Sequence, residues 1–182
     1  MMQTLLFTKE NSLATYLLKP LAISLILAMS AQLNVLTHPV PITMQPLALL
    51  VIGLLCSPQT AVLSVAYYLA EIAVGLPFAS GFSGGLAVLI SPRAGYFVGF
   101  LASVYLSALI LHYKRTFLTM WIAACAATIT LYACALAWLF VLFGVEKAFA
   151  VGLLPFISEI PSFIILAVIT SYQIHKTQAK QQ

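Results

Sequence analysis

Residues 118–143 read "LTMWIAACAATITLYACALAWLFVLF" and contain no Asp, Glu, Lys, Arg or His. A helix needs about 20 mainly apolar residues to cross the roughly 30 Å hydrocarbon layer of a bilayer. This run therefore decides the class of the chain: its solvent is lipid. The composition agrees. The 182 residues are 63% hydrophobic and only 7% charged, whereas a soluble domain carries about a quarter charged residues. Abundant Leu, Ile, Val and Phe exclude a disordered or fibrous chain.

Outward from this run, shorter apolar stretches repeat along the sequence. They predict an all-α integral membrane protein, a compact bundle of six transmembrane helices forming one transmembrane domain over 1–182. The expected spans are 20–37, 44–56, 59–74, 92–111, 117–143 and 154–174. The second is too short to cross upright; it runs straight on from its loop or is a partly re-entrant element. "KPLAISLILAMSAQ" (19–32) has the Lys, apolar run and small residues of a signal peptide, but the apolar pattern continues as the first of a series, so a membrane helix is the better reading.

An even number of spans puts both termini on one side. That side holds Lys9, Lys19, Lys114, Arg115, Lys176 and Lys180; the other holds only Arg93 and Lys147. Positive charge favours the cytoplasmic face, so the termini and the "HYKRT" loop (112–116) are expected inside. The loops near 38–45, 75–91 and 144–153 are expected outside. The basic residues then need no nucleic-acid partner, and the chain is expected in the plasma or inner membrane, among lipid.

Known chemical motifs are missing. There is no CxxC, HExxH, P-loop or GxGxxG. Cys56, Cys125 and Cys134 are an odd number in or beside apolar spans and form no disulfide framework. His38, His112 and His175 are scattered. No cofactor and no metal site are expected, and no paired catalytic set supports an enzyme.

Polar groups gather instead at the expected outer end. In "THPVPITMQPLALL" (37–50), Pro39, Pro41 and Pro46 forbid a regular helix before about residue 46. Thr43 and Gln45 there either cap the second helix or offer hydrogen bonds to a ligand. "GLPFASGFSGG" (75–85) is either a tight inter-helix loop or a lid over something small and partly apolar, with Phe78, Ser80, Phe82 and Ser83 able to touch it. In "SPRAGYFVGF" (91–100), Arg93 either snorkels to headgroups or clamps a ligand carboxylate, and Tyr96 shares its face at i+3. Gly95 and Gly99 make a small-xxx-small step for close helix approach. Glu71 and Glu159 are carboxylates at membrane depth, open to ligand binding, pairing with Arg93 or proton carriage. Ser24, Ala28 and Ala31 form a light face on the first span, suited to bundle packing or to docking a second membrane protein.

This asymmetry suits capture of a solute at one end better than a continuous pore. The stretch "VPITMQPLALLVIGLLCSPQTAVLSVAYYLAEIAVGLPFASGFSGGLAVLISPRAGYFVGF" (40–100) resembles the BioY family, the biotin-binding membrane (S) components of energy-coupling-factor (ECF) type transporters. The resemblance implies high-affinity capture of biotin in an outward-facing pocket capped by loops. It also implies a transmembrane coupling protein and two cytoplasmic ATPase subunits that drive import. Small residues of the first helix serve docking in the family; Ser24 and Ala28 are the nearest form here.

The chain also departs from the family pattern. A small residue commonly stands where Glu71 does, and "GPTGGY" where this chain has "SPRAGY". The family's PFxPGDxxK pattern is replaced by "PFISEIPSF" from Pro155, with no Lys and with Glu159 one position off the expected Asp. Arg93 is therefore expected to take the biotin carboxylate in place of the missing Lys. The alternatives are a ligand related to biotin, a stand-alone proton-coupled carrier using Glu71 or Glu159, and a structural membrane subunit that binds no solute.

Overall fold

The computed structural model describes residues 13–35 and 39–179. Lys9, His38 and Lys180, used above in the charge and histidine reading, lie outside the described residues. Helix α1, Leu13–Gln32, leads into a hairpin of two-residue strands, in which β1, Asn34–Val35, pairs antiparallel with β2, Ile42–Thr43. Asn34 Nδ2 donates to the carbonyls of Ala31 at 2.8 Å and Gln32 at 3.0 Å, covering acceptors that the end of α1 leaves open. Helix α2, Gln45–Leu55, starts with Pro46 in its first turn, where a missing N–H costs nothing.

Ser57 opens α3, Pro58–Ala73, by accepting the Thr60 N–H at 3.3 Å. The glycine-rich loop and the short α4, Leu86–Leu89, lead to α5, Ala94–Tyr113. Thr116 and Thr119 form a reciprocal capping box at the start of α6, Phe117–Phe143. Gly144 turns the chain into α7, Val145–Gly152; one 3₁₀ turn, Leu154–Phe156, precedes α8, Ile160–Ala179.

The expectation of six transmembrane helices is corrected. Among the described residues, only Ala94–Tyr113 and Phe117–Phe143 are long and apolar enough to cross a membrane. A third span results if Val145–Phe156 and Ile160–Thr177, bent by 45° at the break between them, are taken together. The physical reason is that an apolar run is not a helix of spanning length. Helix α2 has 11 residues, about 16 Å at 1.5 Å per residue. Helix α3 mixes Gln59, Thr60, Ser64, two Tyr and Glu71 into its 16 residues. The placement of both termini on the cytoplasmic side rests on six spans, and that count is not what the structure has. The chain is a multi-pass membrane protein built around the long helices.

Helix α5 lies along α6. The small-xxx-small step makes this possible. A Cβ on Gly95 would sit 2.6 Å from Trp138 Cβ and 2.8 Å from the Cys134 carbonyl oxygen; one on Gly99 would sit 2.8 Å from the Leu131 carbonyl oxygen. On the facing side, α6 supplies small buried Ala127 and Ala135. Helix α3 packs against α1 and α5, and α2 against α5 and α8. One apolar cluster joins Leu27, Val65, Ile72, Phe97 and Leu139; a second, around Leu54, Leu111, Met120 and Val168, fills the other end.

At that other end α2 stops inside the molecule. Arg115 reaches it from the loop before α6: Nη1 donates to the carbonyls of Leu54 at 2.9 Å and Leu55 at 3.3 Å, and Nη2 to Cys56 at 3.4 Å. Helix C-terminal carbonyls lack intrahelical partners, and a cation suits the negative end of the helix dipole.

Replacing Gly99 by Val should lower stability by about 1–3 kcal/mol, the usual cost of overpacking, because the obstructing atom is α6 backbone. Thermal unfolding in detergent measures it; a variant as stable as the parent would show that the two helices are free to separate.

Candidate ligand-binding site

At the end of the bundle opposite Arg115, the hairpin, the glycine-rich loop and the first turns of α2 and α5 enclose a cavity. Its floor and sides are aromatic: Tyr96, Phe97 and Phe100 from α5, and Phe156 from the 3₁₀ turn. Its roof comes from Val40, Pro41, Thr43, Gln45 and Pro46 on one side and from Ala79 and Ser80 on the other, with Tyr68 and Arg93 between them. The non-atom space is about 430 Å³ including the mouth.

The polar groups are ordered by a short relay. Gln45 Nε2 donates to Tyr68 Oη at 2.8 Å, and Tyr68 Oη donates to the Phe78 carbonyl at 3.3 Å. Gln45 N–H donates to Thr43 Oγ1 at 3.3 Å. Helix α2, helix α3 and the loop are thus joined through buried side chains, where an unmade hydrogen bond costs about 1–3 kcal/mol. Tyr96 Oη donates to the Gly152 carbonyl at 2.6 Å. Its ring therefore serves as wall, within an aromatic cluster with Tyr132 and Phe156 at centroid distances of 6.3 and 6.0 Å.

Arg93 is the cation at the cavity. Its Nη1 donates to Ser80 Oγ at 2.9 Å, with longer contacts to Ser83 Oγ at 3.4 Å and the Ser80 carbonyl at 3.5 Å. All three bonds leave from one nitrogen, and Arg93 makes no ion pair among the described residues. These bonds leave the other guanidinium donors unused, and such a fork is able to hold a planar anion.

The loop is a compact turn. Ala79 and Ser83 exchange both backbone hydrogen bonds, at 3.0 and 3.2 Å, around Ser80, Gly81 and Phe82. Gly81 at φ 71° and Phe82 at φ 54° both take the left-handed conformation this tightness requires.

Of the residues expected at a site, the fold brings together Thr43, Gln45, Ser80, Arg93 and Tyr96. The others stand elsewhere. Phe78 presents its carbonyl to Tyr68 and its ring to the core. Phe82 is 72% exposed at the loop tip. Ser83 braces Arg93 from outside the cavity. Glu159 is half-buried in the turn before α8 and is not part of the lining. Glu71 points to α1, where its Oε1 accepts a hydrogen bond from Ser24 Oγ at 2.9 Å.

Ser24 belongs to the light face of α1 together with Ala28 and Ala31. Ser24 and Ala31 are fully buried and Ala28 nearly so; they pack inside the bundle. The exposed face of α1 is Leu18, Leu21, Leu25, Ile26 and Met29.

Sequence reasoning missed Tyr68 and the aromatic floor. A signal for Phe97 and Phe100 was present: with Arg93 and Tyr96 they stand at i, i+3, i+4 and i+7, one helix face. Tyr68 and Phe156 had none, since each reaches the cavity through tertiary packing alone.

Comparison with known proteins agrees with this architecture. The crystal structure of the S-component for biotin from an ECF-type ABC transporter superposes with a TM-score of 0.76 over 95% of both chains, at 21% identity, so the fold is shared. A probable biotin transporter BioY of Pyrococcus horikoshii is 32% identical over 130 residues, 71% of this chain and 77% of that one. The biotin transporter BioY of Rhizobium etli is 33% identical over 144 residues, covering 73% and 75%. A model of the BioY family matches residues 4–180, and the chain therefore belongs to the BioY family.

Proposed function

We propose that this chain captures biotin in the cavity between the hairpin and the glycine-rich loop and serves its import across the membrane. The observation that carries the reading is the pairing of one rim cation, Arg93, with an aromatic chamber in a BioY-family chain. Biotin needs both parts: an apolar bicyclic body and a charged carboxylate at the end of a valeryl chain. Tyr96, Phe97, Phe100 and Phe156 suit the bicycle. Thr43 and Gln45 suit the ureido group, which both donates and accepts. Arg93 takes the carboxylate in a bidentate fork, supplying the charge that the family places on a Lys near the last span.

No bond of the ligand is made or broken; the chain is a transport component, not an enzyme. Import is driven by ATP hydrolysis in an associated module, a transmembrane coupling protein with a pair of cytoplasmic ATPases. The exposed apolar face of α1, Leu18, Leu21, Leu25, Ile26 and Met29, is a surface on which such a partner could dock within the membrane. Proton-coupled transport through Glu71 or Glu159 finds less support, because neither carboxylate lines the cavity.

Titration of the detergent-purified chain with labelled biotin, with desthiobiotin and lipoate as competitors, tests the reading; absence of saturable binding overturns it. Arg93→Ala should weaken biotin binding about 10–100-fold, the range for a charged hydrogen bond. The parent should bind biotin methyl ester about as weakly as the variant binds biotin, and the variant should no longer distinguish acid from ester. Gln45→Leu should weaken biotin and its methyl ester alike, by about tenfold; an effect on the acid alone would place Gln45 at the carboxylate end.

A further inference from the structure

The cavity lies beneath the hairpin and the glycine-rich loop, so entry and exit of a ligand depend on how that roof is held. The glycine-rich loop is the part of the roof held mainly by side chains from other elements. Two of these, Tyr68 and Arg93, line the cavity themselves. The third does not.

Gln32, the last residue of α1, stands outside the cavity and grips the loop at both ends of its tight turn. Its Nε2 faces three successive carbonyl oxygens: Ala79 at 3.1 Å, Phe78 at 3.3 Å and Pro77 at 3.5 Å. Its Oε1 accepts the Phe82 N–H at 3.1 Å. One amide thus uses its donor and acceptor sides on the same loop. It does so from the residue where α1 runs into the hairpin, which forms the other half of the roof. Phe82, the residue held by its N–H, has an unfavourable backbone conformation for a side chain of its size, so the turn gains from an external tie.

We infer that Gln32 is a positioning residue: a latch that holds the glycine-rich loop shut against α1 and sets how fast ligand enters and leaves. This rests on the pocket reading above. Releasing the latch favours an open roof in both the empty and the loaded protein. Entry and exit then both accelerate, and the equilibrium affinity moves less than either rate. Damage to a cavity wall acts differently, speeding exit while leaving entry unchanged.

The test uses the full chain in detergent with two substitutions. Gln32→Glu keeps the shape and the acceptor but turns an oxygen toward the three carbonyls; Gln32→Leu removes both functions. Association and dissociation of labelled biotin are both expected to rise about tenfold, the effect of losing hydrogen bonds of this kind. In the ligand-free protein, amide hydrogen exchange of peptides over 75–85 should rise by a similar factor while α5 and α6 are unchanged. Loop exchange equal to the parent's in both variants overturns the latch, as does faster dissociation with unaltered association. If the native chain binds no biotin, the functional reading fails, and the exchange measurement, which needs no ligand, still decides the latch.

Discussion

The seam between α5 and α6 holds the rest of the molecule in place. Two glycines one turn apart bring the α5 backbone against α6 carbonyls and side chains, closer than any Cβ permits. In lipid, helices gain nothing by merely hiding apolar surface from one another, so close backbone contact and polar bonds must supply the association. Once α5 is seated, the face bearing Arg93, Tyr96, Phe97 and Phe100 has only one direction to point. Tyr96 then fixes α7 by bonding its last carbonyl, and Trp138 of α6 donates to the Ser91 carbonyl just before α5 at 3.1 Å. The cavity is built on this rigid side.

The opposite side is assembled from polar side chains reaching backbone. The glycine-rich loop is held by Gln32, Tyr68 and Arg93, each from a different part of the chain. Its position is therefore a sum of separate hydrogen bonds, while the seam is a single interlocked contact. The cavity thus has one wall made by interlocked helices and another tied by separate polar bonds.

Much of the site could be read from the sequence because it depends on local rules. Prolines between 39 and 46 marked the non-helical approach to α2, and Gly95 and Gly99 marked the close approach of α5. The i+3 spacing of Arg93 and Tyr96 placed them on one face. What could not be read depends on tertiary contact. Nothing local to Glu71 reveals that Ser24 answers it across 47 residues, so an acid near the loop looked like a ligand group. The small residues of α1 looked like a docking face, though a light face serves equally to receive a neighbouring helix of the same chain. The span count failed because apolar composition records what a segment touches, lipid or core, and says little about how far its helix extends.

Arg115 shows how the short helix is tolerated. A helix that ends inside a protein leaves its last carbonyls without intrahelical partners, and another group must supply donors to them. Here the guanidinium comes to the carbonyls. The end of α2 is thereby tied to the loop between α5 and α6: the segment takes its place from the helices around it and needs no further turns of its own to cover its last carbonyls.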